Sequence, residues 1–386
     1  MTRHDVIIVG AGPAGLATAG RLRQLGLSDV LVLERSAQLA AAWRGRYDGF
    51  RLNTSRWFSH LPGLRIPGRH GLWPTRDAMV EYFDSYAAHH RLEVAFDTEV
   101  RQVDTDGDGW RISTDKGVLR AAQVVIATGN YRTPDVPSWP GLDEFTGAVV
   151  HSRDYRNAEP FRGMDVLVVG AGSSGADIAV QLAHEGAARV RIAIRTPPHL
   201  FTRRIGPLPV DVYNIALQRF PLAVVDGLGW LARRLLFGDL EAYGLGRPPH
   251  GVYTQVRRLG RIPTVSDSFV DTVRAGGIEI VGAVERLTAR GVVLADGSAI
   301  EVDAIVVATG YRRDLEPLVG HLGVLDAEGR PRAQGGVNPA GAPGLYFPGF
   351  GEPFTGPLRE LRLRSRDVAD AIIRRSRRRI GAGTDD

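Results

Sequence analysis

Among its 386 residues the sequence has no cysteine. That absence excludes a disulfide framework, a thiolate metal site, an iron–sulfur cluster and a redox-active cysteine pair. No metal site is expected, and redox chemistry, if present, must come from a bound organic cofactor. Long hydrophobic runs are also missing, since no apolar stretch reaches the roughly 18 residues needed to cross a bilayer. No leader precedes the first apolar run, because Met1-Thr2-Arg3-His4 passes directly into Asp5-Val6-Ile7-Ile8-Val9. The expectation is a cytoplasmic protein with no transmembrane segment. Strong charge of one sign is lacking too: 48 Lys+Arg against 43 Asp+Glu leaves a net +5. The cations are spread along the chain apart from Arg374–Arg379, which reads as a solvated helix end, so no nucleic-acid partner is expected.

What the chain has in plenty is glycine, 47 residues of it, much of it clustered. Its length calls for two or three domains, and its 44% apolar and 24% charged residues are ordinary for a globular protein. Val6–Val9 reads as a strand buried on both faces of a parallel sheet. It ends in Gly10-Ala11-Gly12-Pro13-Ala14-Gly15, followed by apolar residues at near-helical spacing and a second strand, Val30–Leu33. Strand, G-x-G-x-x-G, helix, strand is the context of a dinucleotide site. Gly10 serves the tight turn, Gly12 the approach of a pyrophosphate and Gly15 the packing of helix on strand. Glu34, nineteen positions after Gly15, stands where an acid binds a ribose hydroxyl and repels a 2′-phosphate. This site suits FAD or NAD, with Arg35 beside it.

The pattern recurs at Val166–Val169, Gly170-Ala171-Gly172-Ser173-Ser174-Gly175, a helix, and a strand Val190–Ile194. Its end carries Arg195 and Thr196, the arginine twenty positions after Gly175. Arginine in place of an acid favours a 2′-phosphate, and so NADPH. Each half closes on an apolar strand ending in A-T-G, Ala127-Thr128-Gly129 and Ala308-Thr309-Gly310, after short strands around Trp110 and Val292. Small residues there let backbone approach a cofactor.

Between the glycine motifs stands Phe145-x-Gly147-x-x-x-His151-x-x-x-Tyr155. With Trp43, Leu52-Asn53-Thr54-Ser55, Phe161-Arg162-Gly163 and Gly344-Leu345-Tyr346-Phe347-x-Gly349, it resembles the flavin-containing monooxygenases over nearly the whole chain. The resemblance implies an α/β fold of two Rossmann-like domains of the three-layer, glutathione-reductase-like kind, with the NADPH domain inserted in the FAD domain. It places an FAD domain at 1–157, an NADPH domain at 158–313 with a helical insertion at 200–263, and the rest of the FAD domain at 314–386. It implies FAD and NADPH as cofactors, a small organic substrate and O2 as partners, and a C4a-(hydro)peroxyflavin as oxidant. A homodimer is compatible with it.

Asn53 aligns with the family's active-site asparagine; the bland reading is an Asx turn opening Thr54-Ser55. His151 reads as a residue pinning the linker rather than an acid or base. Trp43 and Trp57 either line the flavin region or fill the core, and Arg203-Arg204 either touch phosphate or are exposed. Leu222–Gly238 reads as an amphipathic helix, a lid or packing element before a membrane-surface one. Asn53 and Tyr155 favour oxidation of amine nitrogen or sulfur. The 200–263 insertion, with Leu235-Leu236-Phe237-Gly238-Asp239, resembles the auxin-forming enzymes and keeps oxidative decarboxylation of an α-keto acid open. Baeyer–Villiger insertion and a flavin reductase serving a partner stay open as well.

Overall fold

A computed structural model describes residues 3–351 and 355–382, with side chains described up to residue 378. The chain divides into two compact units: residues 1–44, 55–133 and 311–386 form one, and 45–54 with 134–310 form the other.

The first unit is organised by a sheet ordered Glu93–Ala95, Val30–Leu33, Arg3–Val9, Gly117–Ile126, Gly109–Thr114, Val100–Asp106, with Leu345–Tyr346 also paired to Gly117–Ile126. Arg3–Val9 runs parallel to both its neighbours, with Ile7 opposite Leu31 and Val124. Successive side chains of a strand point to opposite faces, so a strand buried on both faces must be apolar throughout. Ile7 and Val9 enter one core with Trp110, Ile112 and Phe347, while Val6 and Ile8 enter the other with Leu22, Val368 and Ile372. Gly117–Ile126 joins the antiparallel and parallel parts of this one sheet. Its first half completes an antiparallel meander with Gly109–Thr114 and Val100–Asp106, turning at Gly107-Asp108 and Asp115-Lys116, and its second half joins the parallel core.

The second unit repeats this plan. Its sheet, ordered Glu279–Val281, Arg189–Ala193, Asp165–Val169, Ala304–Val307, Ala148–His151, is parallel throughout. Val166 and Val168 face a core holding Ile178, Leu182 and Phe269; Leu167 and Val169 face one covered by the three-stranded sheet Val284–Thr288, Gly291–Leu294, Ala299–Glu301. Because Ala148–His151 is an edge strand here, residues 134–157 go with this unit rather than with the 1–157 segment. The 200–263 insertion is bracketed by Leu200–Phe201 and Thr264–Val265, which pair with each other, and carries the helices Val210–Leu217, Leu222–Phe237 and Val252–Leu259. No helix among the described residues is long and apolar enough to cross a membrane.

Candidate active site

In the first unit Val9 hands over to Gly10 at φ +107°, a conformation that L side chains rarely adopt. A Cβ on Gly10 would stand 2.8 Å from the Ala127 carbonyl oxygen, and one on Gly15 only 1.9 Å from that of Gly10. A Cβ on Gly12 would meet nothing within 4 Å. The loop is therefore closed on its protein side and open where a ligand's pyrophosphate would lie, above the N-terminus of the helix Pro13–Gln24. Gly349 adjoins the same helix start: its own Cβ would lie 3.4 Å from that of Ala14 and 2.3 Å from the Leu361 side chain.

Glu34 follows the second strand and grips the loop directly. One carboxylate oxygen accepts from Ala11 N at 2.8 Å, and the other accepts from Ser36 N at 3.0 Å and Ser36 Oγ at 2.6 Å. Arg35 is exposed; Arg132 has its pKa held below the usual guanidinium value first by burial and next by the charge of Arg35. Two cations near this strand end would be relieved by an anionic ligand. The Thr128 hydroxyl, beside Gly10, is buried with no hydrogen-bond partner among the described residues. An orphaned hydroxyl, an open glycine and a helix N-terminus together fit a dinucleotide such as FAD.

The second loop repeats the first closely. Gly170 has φ +106°, a Cβ on it would stand 2.6 Å from Ala308 O, one on Gly175 would stand 1.9 Å from Gly170 O, and Gly172 is open. Ser173 and Ser174 start the helix Ser173–His184, and Ser173 Oγ accepts from Val265 N at 3.1 Å. Thr309 differs from Thr128, since its hydroxyl donates to the carbonyl of Asp135. Arg195 is exposed and Thr196 half-buried in the bend after the strand Arg189–Ala193.

The register requires one correction. Gly10 N donates to Leu33 O and Glu34 N to Ala95 O; Gly170 N donates to Ala193 O and Ile194 N to Val281 O. The position matching Glu34 is thus Ile194, and Arg195 matches Arg35. The second site has an apolar residue where the first has its acid, with the arginine one residue beyond. The spacing from the third glycine carries the same offset, at nineteen against twenty positions.

Asn53 lies on the segment 45–54, which packs in the second unit. That segment is held at many points. Asp48 N donates to Arg156 O at 2.7 Å, Asn157 Nδ2 to Asp48 Oδ2 at 3.0 Å, and Tyr47 OH to Asp177 Oδ2 at 3.0 Å. Arg156 also donates to the Gly45 carbonyl. Arg203, ion-paired with Asp267 at 2.9 Å, donates through Nε to Leu52 O at 3.2 Å. Burial raises the pKa of Asp177, and Arg203 counters it by lowering it. Sequence reading misses Tyr47, Arg156 and Asp177 altogether, because their partners are more than 100 positions away. Asn53 Oδ1 ends this framework as a buried acceptor without a hydrogen-bond partner among the described residues.

The F-x-G-x-x-x-H-x-x-x-Y residues serve packing in the second unit. Phe145 is buried, and a Cβ on Gly147 would stand 2.3 Å from Asp303 O and 2.5 Å from the Phe145 ring. His151 Nδ1 accepts from Arg153 N at 3.1 Å, which leaves Nε2–H to donate to Gly310 O at 3.1 Å. Burial lowers its pKa, so the neutral ring is favoured. Tyr155 is 1% exposed, flanked by Tyr47 and Phe161, and donates to Gln181 Oε1 at 3.0 Å. In the first unit Trp43 packs edge-on against Phe83 at 5.2 Å, whereas Trp57 is 46% exposed and fills no core.

The chain matches the model of a family described as pyridine nucleotide-disulphide oxidoreductase over residues 7–203. Rice (Oryza sativa subsp. japonica) indole-3-pyruvate monooxygenase YUCCA1 is 35% identical over 350 residues, covering 89% of this chain and 86% of that protein. The probable indole-3-pyruvate monooxygenase YUCCA4 of Arabidopsis thaliana is 32% identical over 356 residues, covering 89% and 84%. Among solved structures, a flavin-containing monooxygenase from Stenotrophomonas maltophilia has TM-score 0.74 at 24% identity, over 97% of this chain and 100% of that one. The bacillithiol disulfide reductase of Bacillus cereus, TM-score 0.68 at 22% identity over 97% and 100%, shares the fold as well. The chain belongs to the pyridine nucleotide-disulphide oxidoreductase family, and within it to the flavin monooxygenases. It is an oxidoreductase that uses FAD and NADPH; with no cysteine it cannot carry the redox-active disulfide of the family's title.

Proposed function

We propose that this enzyme oxygenates a 2-oxo acid of the indole-3-pyruvate type with loss of CO2. Curated relatives named for that substrate cover most of the chain at 32–35% identity, and this observation carries the reading. The amine and sulfur reading rests on Asn53 and Tyr155. Tyr155 is enclosed in the second unit's core with its hydroxyl on Gln181, so its identity bears on packing and not on substrate choice. The overall reaction balances as 2-oxo acid anion, O2, NADPH and H+ giving the one-carbon-shorter carboxylate, CO2, NADP+ and water. The keto acid is oxidised and decarboxylated, and one oxygen atom leaves as water.

FAD supplies the redox chemistry, taking electrons from NADPH and delivering them to oxygen. The chain's own residues bind, orient and exclude. The first glycine loop, Glu34, Thr128, Gly129 and Gly349 hold FAD; the second, with Ser173, Ser174, Arg195, Thr196, Ala308 and Gly310, holds NADPH. Asn53 offers its unpartnered amide oxygen to a donor on the bound cofactor or substrate, and Arg203 positions it through the Leu52 carbonyl. We place the reaction in the cytoplasm, where NADPH is at hand.

The experiment is to supply FAD-loaded protein with NADPH and indole-3-pyruvate labelled at C1, and to measure CO2 against NADPH consumed. Parallel assays use an amine and a sulfide. Stoichiometric CO2 that persists with catalase present supports the proposal, since free hydrogen peroxide by itself decarboxylates 2-oxo acids. N-oxide or sulfoxide without CO2 returns the choice to the amine and sulfur reading, and NADPH consumption yielding only hydrogen peroxide in all three sinks both.

A further inference from the structure

The helix Leu222–Phe237 of the insertion has two apolar faces. Its inner face buries Val225 and Phe237 and brings Gly229 so close to Val252 that a Cβ there would stand 2.9 Å from that side chain. Arg233 Nη2, on the same side, donates to the Leu245 and Gly246 carbonyls at 3.2 and 3.1 Å. The outer face presents Val224, Leu228, Leu231 and Leu235, which are 49%, 45%, 53% and 75% exposed. Their spacing of i, i+4, i+7, i+11 is that of a coiled-coil seam. At 1.5 Å per residue the ridge is about 17 Å long. A continuous aliphatic ridge in water marks a docking face rather than a scatter of surface leucines.

The ridge is symmetric about the middle of its helix. Val224 and Leu235 lie equally far from the point between Gly229 and Trp230, and so do Leu228 and Leu231. The helix ends, Leu222 and Phe237, share that midpoint. Counted along the sequence, Arg219 on one side and Asp239 with Glu241 on the other follow the same symmetry with opposite signs, while exposed Arg234 has buried Val225 at its mirror position. Exposed Arg219 precedes the midpoint by a distance lying between those at which exposed Asp239 and Glu241 follow it. Asp239 Oδ1 accepts from Glu241 N at 2.9 Å, so the two acids form one turn, and both also act on Arg233 of their own chain.

We infer that a second copy of this chain docks on the ridge, with the two helices antiparallel about a twofold axis at that midpoint. An isologous contact needs a surface complementary to itself, and this one is. Leu228 of each copy meets Leu231 of the other, Val224 meets Leu235, and Arg219 faces Asp239 and Glu241. A parallel arrangement would set Arg219 on Arg219 and acid on acid, which the charges oppose.

The test uses full-length, FAD-loaded protein in sedimentation velocity at tens of micromolar. The wild type sediments as a dimer, and Leu231→Glu, which places two carboxylates beside the axis, weakens it by about 100-fold or more with flavin content unchanged. Arg219→Glu weakens it by about two- to fivefold, and adding Asp239→Arg and Glu241→Arg restores it. The cysteine-free background allows a direct test of direction. Under mild oxidation Val224→Cys protein cross-links to Leu235→Cys protein and not to itself. A wild type that stays monomeric, a dimer that survives Leu231→Glu, or cross-links of like with like overturn the proposal. Monomers that bind anionic vesicles, and lose that binding in Leu231→Glu, assign the ridge to lipid and overturn it as well.

Discussion

The two glycine loops are built to one plan and equipped for two ligands. Gly10 and Gly170 share φ values of +107° and +106°, and Gly15 and Gly175 each leave no room for a Cβ against the carbonyl of the first glycine. Side chains make the difference. Glu34 fastens its carboxylate to Ala11 N and Ser36 in the first loop. The second has Ile194 at that register with Arg195 next, and Ala171 instead gives its carbonyl to the Thr264 hydroxyl. The backbone shape common to both is imposed by glycine sterics, so it says "dinucleotide" twice. On the proposed assignment, which dinucleotide each loop takes is decided by the charge at the strand end, because a 2′-phosphate is repelled by a carboxylate and held by a guanidinium.

Replacing the third glycine breaks the comparison most severely. Gly15→Ala places a Cβ against backbone that cannot swing aside, at a cost of more than about 3 kcal/mol, and yields protein without FAD. Gly175→Ala retains FAD, which absorbance shows, and loses NADPH binding. Should both variants lose FAD alike, the separation of the two sites fails. Arg195→Ala raises KM for NADPH by about 10- to 100-fold, as expected when a charge-assisted contact worth about 1.5–3 kcal/mol is lost, with little change for NADH. Equal losses for both cofactors would sink the assignment of Arg195.

Ile194→Asp sharpens the register itself. It recreates the first site's acid in the second and shifts the NADH-to-NADPH preference by about tenfold toward NADH, or about 1.4 kcal/mol. No shift would mean that the hydrogen-bond register does not govern specificity. The smallest effect concerns His151, for which the first site has no counterpart. Its folded pKa lies below the ordinary value, chiefly through burial. Its contribution to stability is therefore full above the unfolded pKa of about 6.5 and declines as pH falls through the folded pKa. His151→Gln should flatten part of that acid-side decline in a melting-temperature series. The rest persists, since burial lowers the pKa of His60, His90 and His199 as well. A slope identical to wild type would count against burial of the neutral ring.

Much of the fold is legible locally. The strands Val30–Leu33 and Asp165–Val169, both glycine motifs and the helix Leu222–Phe237 follow from apolar periodicity and glycine spacing within windows of a few residues. Asn53 is legible as a candidate, but its support is not. Arg203, Asp177 and Arg156 reach its segment from more than 100 positions away, and no local pattern announces such a contact. Tyr155 reads in isolation as a clue to substrate type, yet it is enclosed in aromatic packing.

The sequence by itself determined that there are two dinucleotide-type glycine loops, that an acid follows the second strand of the first and only an arginine that of the second, and that no cysteine takes part. Steric limits on φ and the alternation of strand faces act between near neighbours, so residue order alone expresses them. Tertiary structure alone decided that 45–54 joins the second unit and that the Leu228–Leu231 ridge stands in solvent. Those outcomes rest on hydrogen bonds and burial between segments far apart in the chain, which come into being only when the whole core closes.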